Sequence, residues 1–120
     1  MKNNMNYPLI SVITVSYNAV LTIEQTILSV INQTYLNIEY IIIDGGSTDG
    51  TVNVIKKYAD KIAYWVSESD KGIYDAMNKG IAYSHGEYCN FINAGDKFCS
   101  SSILKQVMDF NHCLLYTSDA

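Results

Sequence analysis

Residues 40–50 read YIIIDGGSTDG. Tyr40 to Ile43 form an apolar, largely β-branched run, which ends on Asp44 and opens at once into Gly45, Gly46 and a polar cluster. A short apolar run closed by a glycine turn is the pattern of a strand buried on both faces, and IEYIIID (38–44) is read as one. The stretch poses a question that decides the rest: why a buried strand should finish on a carboxylate.

The flanking segments alternate. LISVITVSYN (9–18) is another buried strand. TIEQTILSVINQT (22–34) places Ile23, Ile27, Val30 and Ile31 at helical spacing, with Thr22 as N-cap and Gln25 as capping-box partner. TVNVIKKYA (51–59) is a short helix led in by Thr48 or Asp49, and KIAYWVSE (61–68) a third strand. KGIYDAMNKGIAYSHG (71–86) sets Ile73, Met77 and Ile81 on one helical face, with Gly86 as the stop. EYCNFI (87–92) is a fourth strand, NAGD (93–96) a turn, SSILKQVMDF (101–110) an amphipathic helix, and HCLLYT (112–117) the start of a further strand. Strands alternating with helices predict an α/β fold, three-layer α/β/α with a mainly parallel sheet. The 120 residues suit one domain or part of one.

Composition narrows the partners. The net charge is −4, with no basic run, which argues against a nucleic-acid polyanion. Any phosphate bound here must be neutralised by something other than a lysine or arginine cluster. Cys89, Cys99 and Cys113 form no C-x-x-C pair and read as reduced thiols of a cytoplasmic protein. MKNNMNYP has no apolar core of a signal peptide, and no apolar run approaches the roughly 18–20 residues of a membrane span. Peripheral contact with the inner face of a membrane, through segments outside this chain, stays open.

In an open α/β sheet, ligands bind at the carboxyl ends of the strands. Those ends carry Ser16, Tyr17 and Asn18; Asp44, Gly45 and Gly46; Ser67, Glu68, Ser69 and Asp70; and Asn93, Gly95 and Asp96. DGGSTDG lacks the G-x-G-x-x-G spacing of a dinucleotide site, and no Gly-Lys-Ser/Thr of a P-loop follows. A carboxylate at Asp44 would repel phosphate, yet it can accept a hydrogen bond from a base N–H or a ribose hydroxyl. The glycines would let the backbone approach a flat base. An aspartate capping a tight turn fits the same residues equally well. Asp96 suits a hard divalent cation such as Mn²⁺ or Mg²⁺, held jointly with substrate phosphates, or else caps the helix near residue 100. Tyr17 either packs at the sheet edge or stacks on a base. Asp75 and Asn78 share a helix face, which by itself reads as solvated. His85 and His112 lack metal-ligand spacing and read as structural.

Taken as a set, SVITVSYN, ILSVINQTY, EYIIIDGGSTDGT, KGIYDAMNKGI, GEY and FINAGD occur in an order and spacing that resemble the N-terminal nucleotide-binding half of family-2 glycosyltransferases, with their GT-A fold. The resemblance covers residues 9–110. It implies a nucleotide-diphosphate sugar as donor and a glycan or lipid-linked acceptor, with no nucleic acid involved. It implies Tyr17 against the donor base, Asp44 hydrogen-bonded to that base, Asp75 and Asn78 bordering the donor pocket, and Asp96 holding Mn²⁺ or Mg²⁺ on the diphosphate. It also implies an inverting transfer in surface polysaccharide or glycan synthesis.

There are departures. Asn93 and Gly95 stand where the family often has Asp; Gly45 stands where many members have a second Asp; and Met77 stands where many have Arg, a contact that Lys71 or Lys79 would then supply. Family domains continue further, with an acceptor site and a catalytic base, so a truncated domain that is inactive alone is expected. The tail CLLYTSDA also resembles translated sequencing-adapter sequence, so residues after 112 are expected not to be native. A nucleotidyltransferase would carry a basic glycine-rich loop that VSYNAVLTIEQT lacks. A non-catalytic nucleotide-binding module is the other alternative.

Overall fold

The computed structural model describes residues 7–109. In order these form β1 (Ile10–Ser16), α1 (Ile23–Ile31), β2 (Ile38–Asp44), α2 (Thr51–Lys57), a 3-10 turn at Ala59–Lys61, β3 (Tyr64–Ser67), α3 (Ile73–Tyr83) and β4 (Tyr88–Phe91). A last helix, α4, covers 103–109. The strand expected at 112–117 lies outside the described residues, as do His112 and Cys113. The sheet is wholly parallel in the order β3-β2-β1-β4. β1 sits in its middle, as the uncharged sequence of 9–18 predicts.

Successive side chains of a strand face opposite sides of the sheet. Ile10 and Val12 of β1 and Tyr40 and Ile42 of β2 join a core with Ile23, Ile27 and Val30 of α1, Ile55 of α2, and Leu104 and Met108 of α4. Ile13, Ile41 and Ile43 face the other way and meet Ala76 of α3. Each buried isoleucine contributes about 1.5–3 kcal/mol. The result is three layers, with α1, α2 and α4 on one side and α3 on the other.

Two local expectations are corrected. Thr22 makes no capping hydrogen bond. Gln25, expected to close a capping box, reaches instead to the Gly95 carbonyl at 3.2 Å. On α3 the buried residues are Ala76 and Gly80, whereas Ile73 and Ile81 are about half exposed at 46% and 47%. The helix lies too close to β1 for large side chains to fit between. A Cβ on Gly80 would stand 2.5 Å from Ile13 Cγ2. The small residues therefore face the sheet and the large ones turn outward.

The amino end of the sheet is fastened by Glu39. It accepts the Ser11 hydroxyl at 2.7 Å, the His85 backbone N–H at 2.7 Å and a contact with His85 Nδ1 at 2.7 Å. His85 thus has a structural partner far from the carboxyl ends of the strands.

Candidate active site

The carboxyl ends of β1, β2 and β3 align on one rung: Ser16 pairs with Asp44, and Asp44 with Ser67. Asp44 is completely buried. Its Oδ1 accepts the Ser16 hydroxyl at 2.7 Å and the Ser47 hydroxyl at 2.7 Å. Its Oδ2 accepts the Ser67 hydroxyl at 2.8 Å, the Ser47 N–H at 2.8 Å and the Gly46 N–H at 3.2 Å. Burial alone would raise the carboxyl's pKa, but the hydroxyls of Ser16, Ser47 and Ser67 and the Ser47 N–H outweigh it and hold the group below its ordinary value. A carboxylate so saturated has no lone pair turned to solvent. The pleat gives Asp44 a structural role beside the base contact expected of it. Asp44 shares the face of Tyr40 and Ile42, and its acid knits three strand ends together.

That knot extends to the next loop. The Ser47 hydroxyl also accepts the Asn18 N–H at 2.7 Å, and Asn18 Oδ1 accepts the Thr48 N–H at 2.9 Å. Asn18 adopts a left-handed φ of 46°, a conformation that asparagine tolerates better than most residues. The turn leaves the Tyr17 ring 64% exposed. Asp49 accepts the Thr51 N–H at 3.0 Å, but the residue at the N-cap of α2 is Gly50, with a φ of 102° and no side-chain cap, so the expectation of Thr48 or Asp49 as cap is corrected.

On the α3 side of the same strand ends lies a cleft of about 510 Å³, lined by Val15, Tyr17, Gly45, Asp70, Ile73 and Asn93, among others. Of the expected site residues, only Tyr17 lines it. Asp75 lies in the first turn of α3, accepts the Lys71 N–H at 3.0 Å and stands 3.8 Å from Lys79 Nζ. Asn78 is exposed on the same helix. Lys79 is paired with Glu68 at 3.2 Å. Asp70 and Asn93 were visible as strand-end residues but carried no assigned role. Their signal was position alone.

The turn 93–96 is pinned to α1. The Gly95 N–H donates to Thr26 Oγ1 at 3.0 Å, and the Thr26 hydroxyl donates to the Asp96 carbonyl. The turn sits beside the end of β1, where the Ala94 N–H donates to the Val15 carbonyl at 3.0 Å. Gly95 has a φ of 104°, which an aspartate there would adopt only with strain. Asp96 is exposed, and among the described residues no hydrogen bond or ion pair occupies its carboxylate. It caps no helix. No cluster of three or more metal-ligating side chains exists among the described residues. A single free carboxylate fits a hard cation that keeps its waters and is shared with substrate phosphates, and does not fit a site built from protein alone.

The glycosyl transferase family 2 model matches residues 11–112. The chain belongs to glycosyl transferase family 2. An uncharacterised family relative from Mycobacterium tuberculosis is 41% identical over 103 residues, covering 85% of this chain and 39% of its own. A Bacillus subtilis glycosyltransferase named for teichuronic acid biosynthesis is 38% identical over 103 residues, covering 83% of this chain and 41% of its own. Among solved structures, a mannosyltransferase from Pyrobaculum calidifontis in complex with GDP-Man and Mn²⁺ superposes with a TM-score of 0.76 at 26% identity, covering 82% of this chain and 30% of its own. The fold of this family 2 chain is the GT-A fold, and the chain spans about two fifths of the length of these two curated relatives. Among the described residues no helix is long and apolar enough to cross a membrane.

Proposed function

We propose that this chain is the donor-binding part of a glycosyltransferase that moves a sugar from a nucleotide-diphosphate sugar to an acceptor hydroxyl. The observation that carries this is the cleft at the carboxyl ends of β1 and β2, with an exposed Tyr17 ring on its wall. On the turn after β4, whose Asn93 lines the cleft, the exposed Asp96 carboxylate makes no hydrogen bond or ion pair among the described residues. The ring offers a face on which a base can stack. The family match and the GDP-Man and Mn²⁺ of the structural neighbour support the same ligand class.

In the transfer we propose, the acceptor oxygen attacks the anomeric carbon as its proton passes to a carboxylate base. The bond from that carbon to the diphosphate oxygen breaks, and the electron pair leaves with the diphosphate, inverting the centre. Tyr17 holds the base, Asp96 would hold Mn²⁺ or Mg²⁺, and Asp44 positions the loops between them. A cation held there would set positive charge against the departing diphosphate. Lys71, next to Asp70, and Lys97, next to Asp96, make no ion pair among the described residues and are the cations we assign to the phosphates. We assign the base and the acceptor site to chain outside the described residues, and expect the purified 120 residues to bind donor without transferring sugar. The acceptor class we favour is a growing surface polysaccharide or lipid-linked glycan, met at the cytoplasmic face of a membrane. The relative named for teichuronic acid biosynthesis supports that class.

Calorimetric titration of the purified chain with UDP and GDP, with and without Mn²⁺, tests the proposal. Metal-dependent binding of one nucleotide, lost in Asp96→Ala, is the expected result. A folded chain that binds neither nucleotide would refute it.

A further inference from the structure

Two acceptor atoms of the residues that line the cleft have no hydrogen-bond partner among the described residues. Asn93 Oδ1 is buried and receives no hydrogen bond from the described residues. Asp70 lies between β3 and α3, and its Oδ1 accepts the Gly72 N–H at 3.0 Å. Among the described residues no hydrogen bond reaches its Oδ2. That oxygen lies over the end of β2, where a Cβ on Gly45 would come within 2.8 Å of it. Any side chain at position 45 would displace the Asp70 carboxylate. Because residue 45 is glycine, the acid from the next loop occupies that space. Asp44 precedes Gly45 on the strand and faces the opposite side of the sheet, with its lone pairs already taken.

We propose that Asp70, and not Asp44, selects the base of the donor, accepting a ring N–H at Oδ2 while the base lies against Tyr17. The inference rests on the nucleotide-sugar reading of the cleft. A carboxylate at neutral pH only accepts hydrogen bonds. Uracil N3 and guanine N1 carry a hydrogen and donate to it. Cytosine N3 and adenine N1 carry a lone pair. Their amino groups can donate, but doing so brings that lone pair against the same carboxylate. An acceptor facing an acceptor leaves both unpaired, which is how a site rejects a near-isosteric ligand. The donor class is therefore a uridine, thymidine or guanosine diphosphate sugar. The unpaired Asn93 Oδ1 supplies a further acceptor for a donor on the same nucleoside.

The test is titration of the purified chain with UDP, GDP, CDP and ADP at fixed Mn²⁺, for the wild type, Asp70→Asn and Asp70→Ala, with a thermal midpoint for each. UDP or GDP should bind at least about tenfold tighter than CDP and ADP. Asp70→Asn, whose amide can turn either an acceptor or a donor to the base, should shrink that ratio to about threefold or less at an unchanged midpoint. Asp70→Ala should weaken the preferred nucleotide about tenfold and leave the others where they were. If the alanine variant unfolds, the near-isosteric asparagine variant decides alone. A wild type without preference, or a preference that survives in Asp70→Asn, overturns the assignment while nucleotide binding itself stands. A folded wild type that binds none of the four overturns the donor reading and this inference together.

Discussion

Ser16 and Asp44 are register partners at the carboxyl ends of β1 and β2, and the Ser16 hydroxyl donates to Asp44 Oδ1 at 2.7 Å. Ser67 repeats the contact from β3 at 2.8 Å. One buried acid thus ties three strands at the edge of the cleft. Removing it strands hydroxyl and backbone donors in a buried place. Asp44→Ala should cost about 2–4 kcal/mol in urea unfolding, and Ser16→Ala about 1 kcal/mol. An Asp44→Ala loss below about 0.5 kcal/mol would show that the knot contributes nothing to stability.

The same acid predicts an acid-side loss of stability. Asp44 sits below its ordinary value of 3.8, and Glu39 below its ordinary value of 4.5. For Glu39, burial pushes the group up, and the His85 backbone N–H, the Ser11 hydroxyl and the His85 ring together overcome it. A carboxyl depressed in the folded state binds its proton more readily when unfolded. Its contribution is complete at neutral pH and disappears as pH falls from the ordinary values through the lower folded ones. Urea midpoints should stay level from about pH 7 to about pH 5 and then fall. The fall should be shallower in Asp44→Asn. Equal slopes in variant and wild type would rule out the Asp44 part of this account.

Gly80 sets how closely α3 approaches the sheet. Gly80→Ala places a methyl 2.5 Å from Ile13 Cγ2 and should cost about 1–3 kcal/mol despite the better helix propensity of alanine. Ile13→Ala alone opens a cavity and should cost about 2–5 kcal/mol. Together they should cost less than their sum, because the second change relieves the first. Strict additivity in a double-mutant cycle would mean the helix shifts freely and the contact is not limiting.

Binding and stability should separate at the cleft. Asp96 is exposed and its carboxylate makes no hydrogen bond among the described residues, so Asp96→Ala should move stability by less than about 0.5 kcal/mol. It should nevertheless abolish the Mn²⁺ dependence of nucleotide binding. Tyr17→Ala should weaken the nucleotide about fivefold or more through lost stacking, with the unfolding midpoint held. A Tyr17→Ala variant that binds at full strength would place the base elsewhere.

Strand and helix positions were legible in the sequence because they follow from local periodicity. The β-branched runs at 10–16 and 38–44, the glycine turn after Asp44 and the spacing of Ile23, Ile27 and Val30 each carry their own signal. The family was legible too, since its motifs are turn residues at fixed distances along the chain. The partners of Asp44 were not legible, because Ser16 and Ser67 lie 28 and 23 residues away and meet it only through the parallel register. The same holds for α3. Its apolar residues advertise a core face at Ile73 and Ile81, and only the closeness of the sheet reveals that Ala76 and Gly80 face inward. Local sequence determined which elements form and where they turn. The tertiary structure decided which acid is buried and which faces the cleft, because burial depends on the register and spacing of strands and helices far apart in the chain.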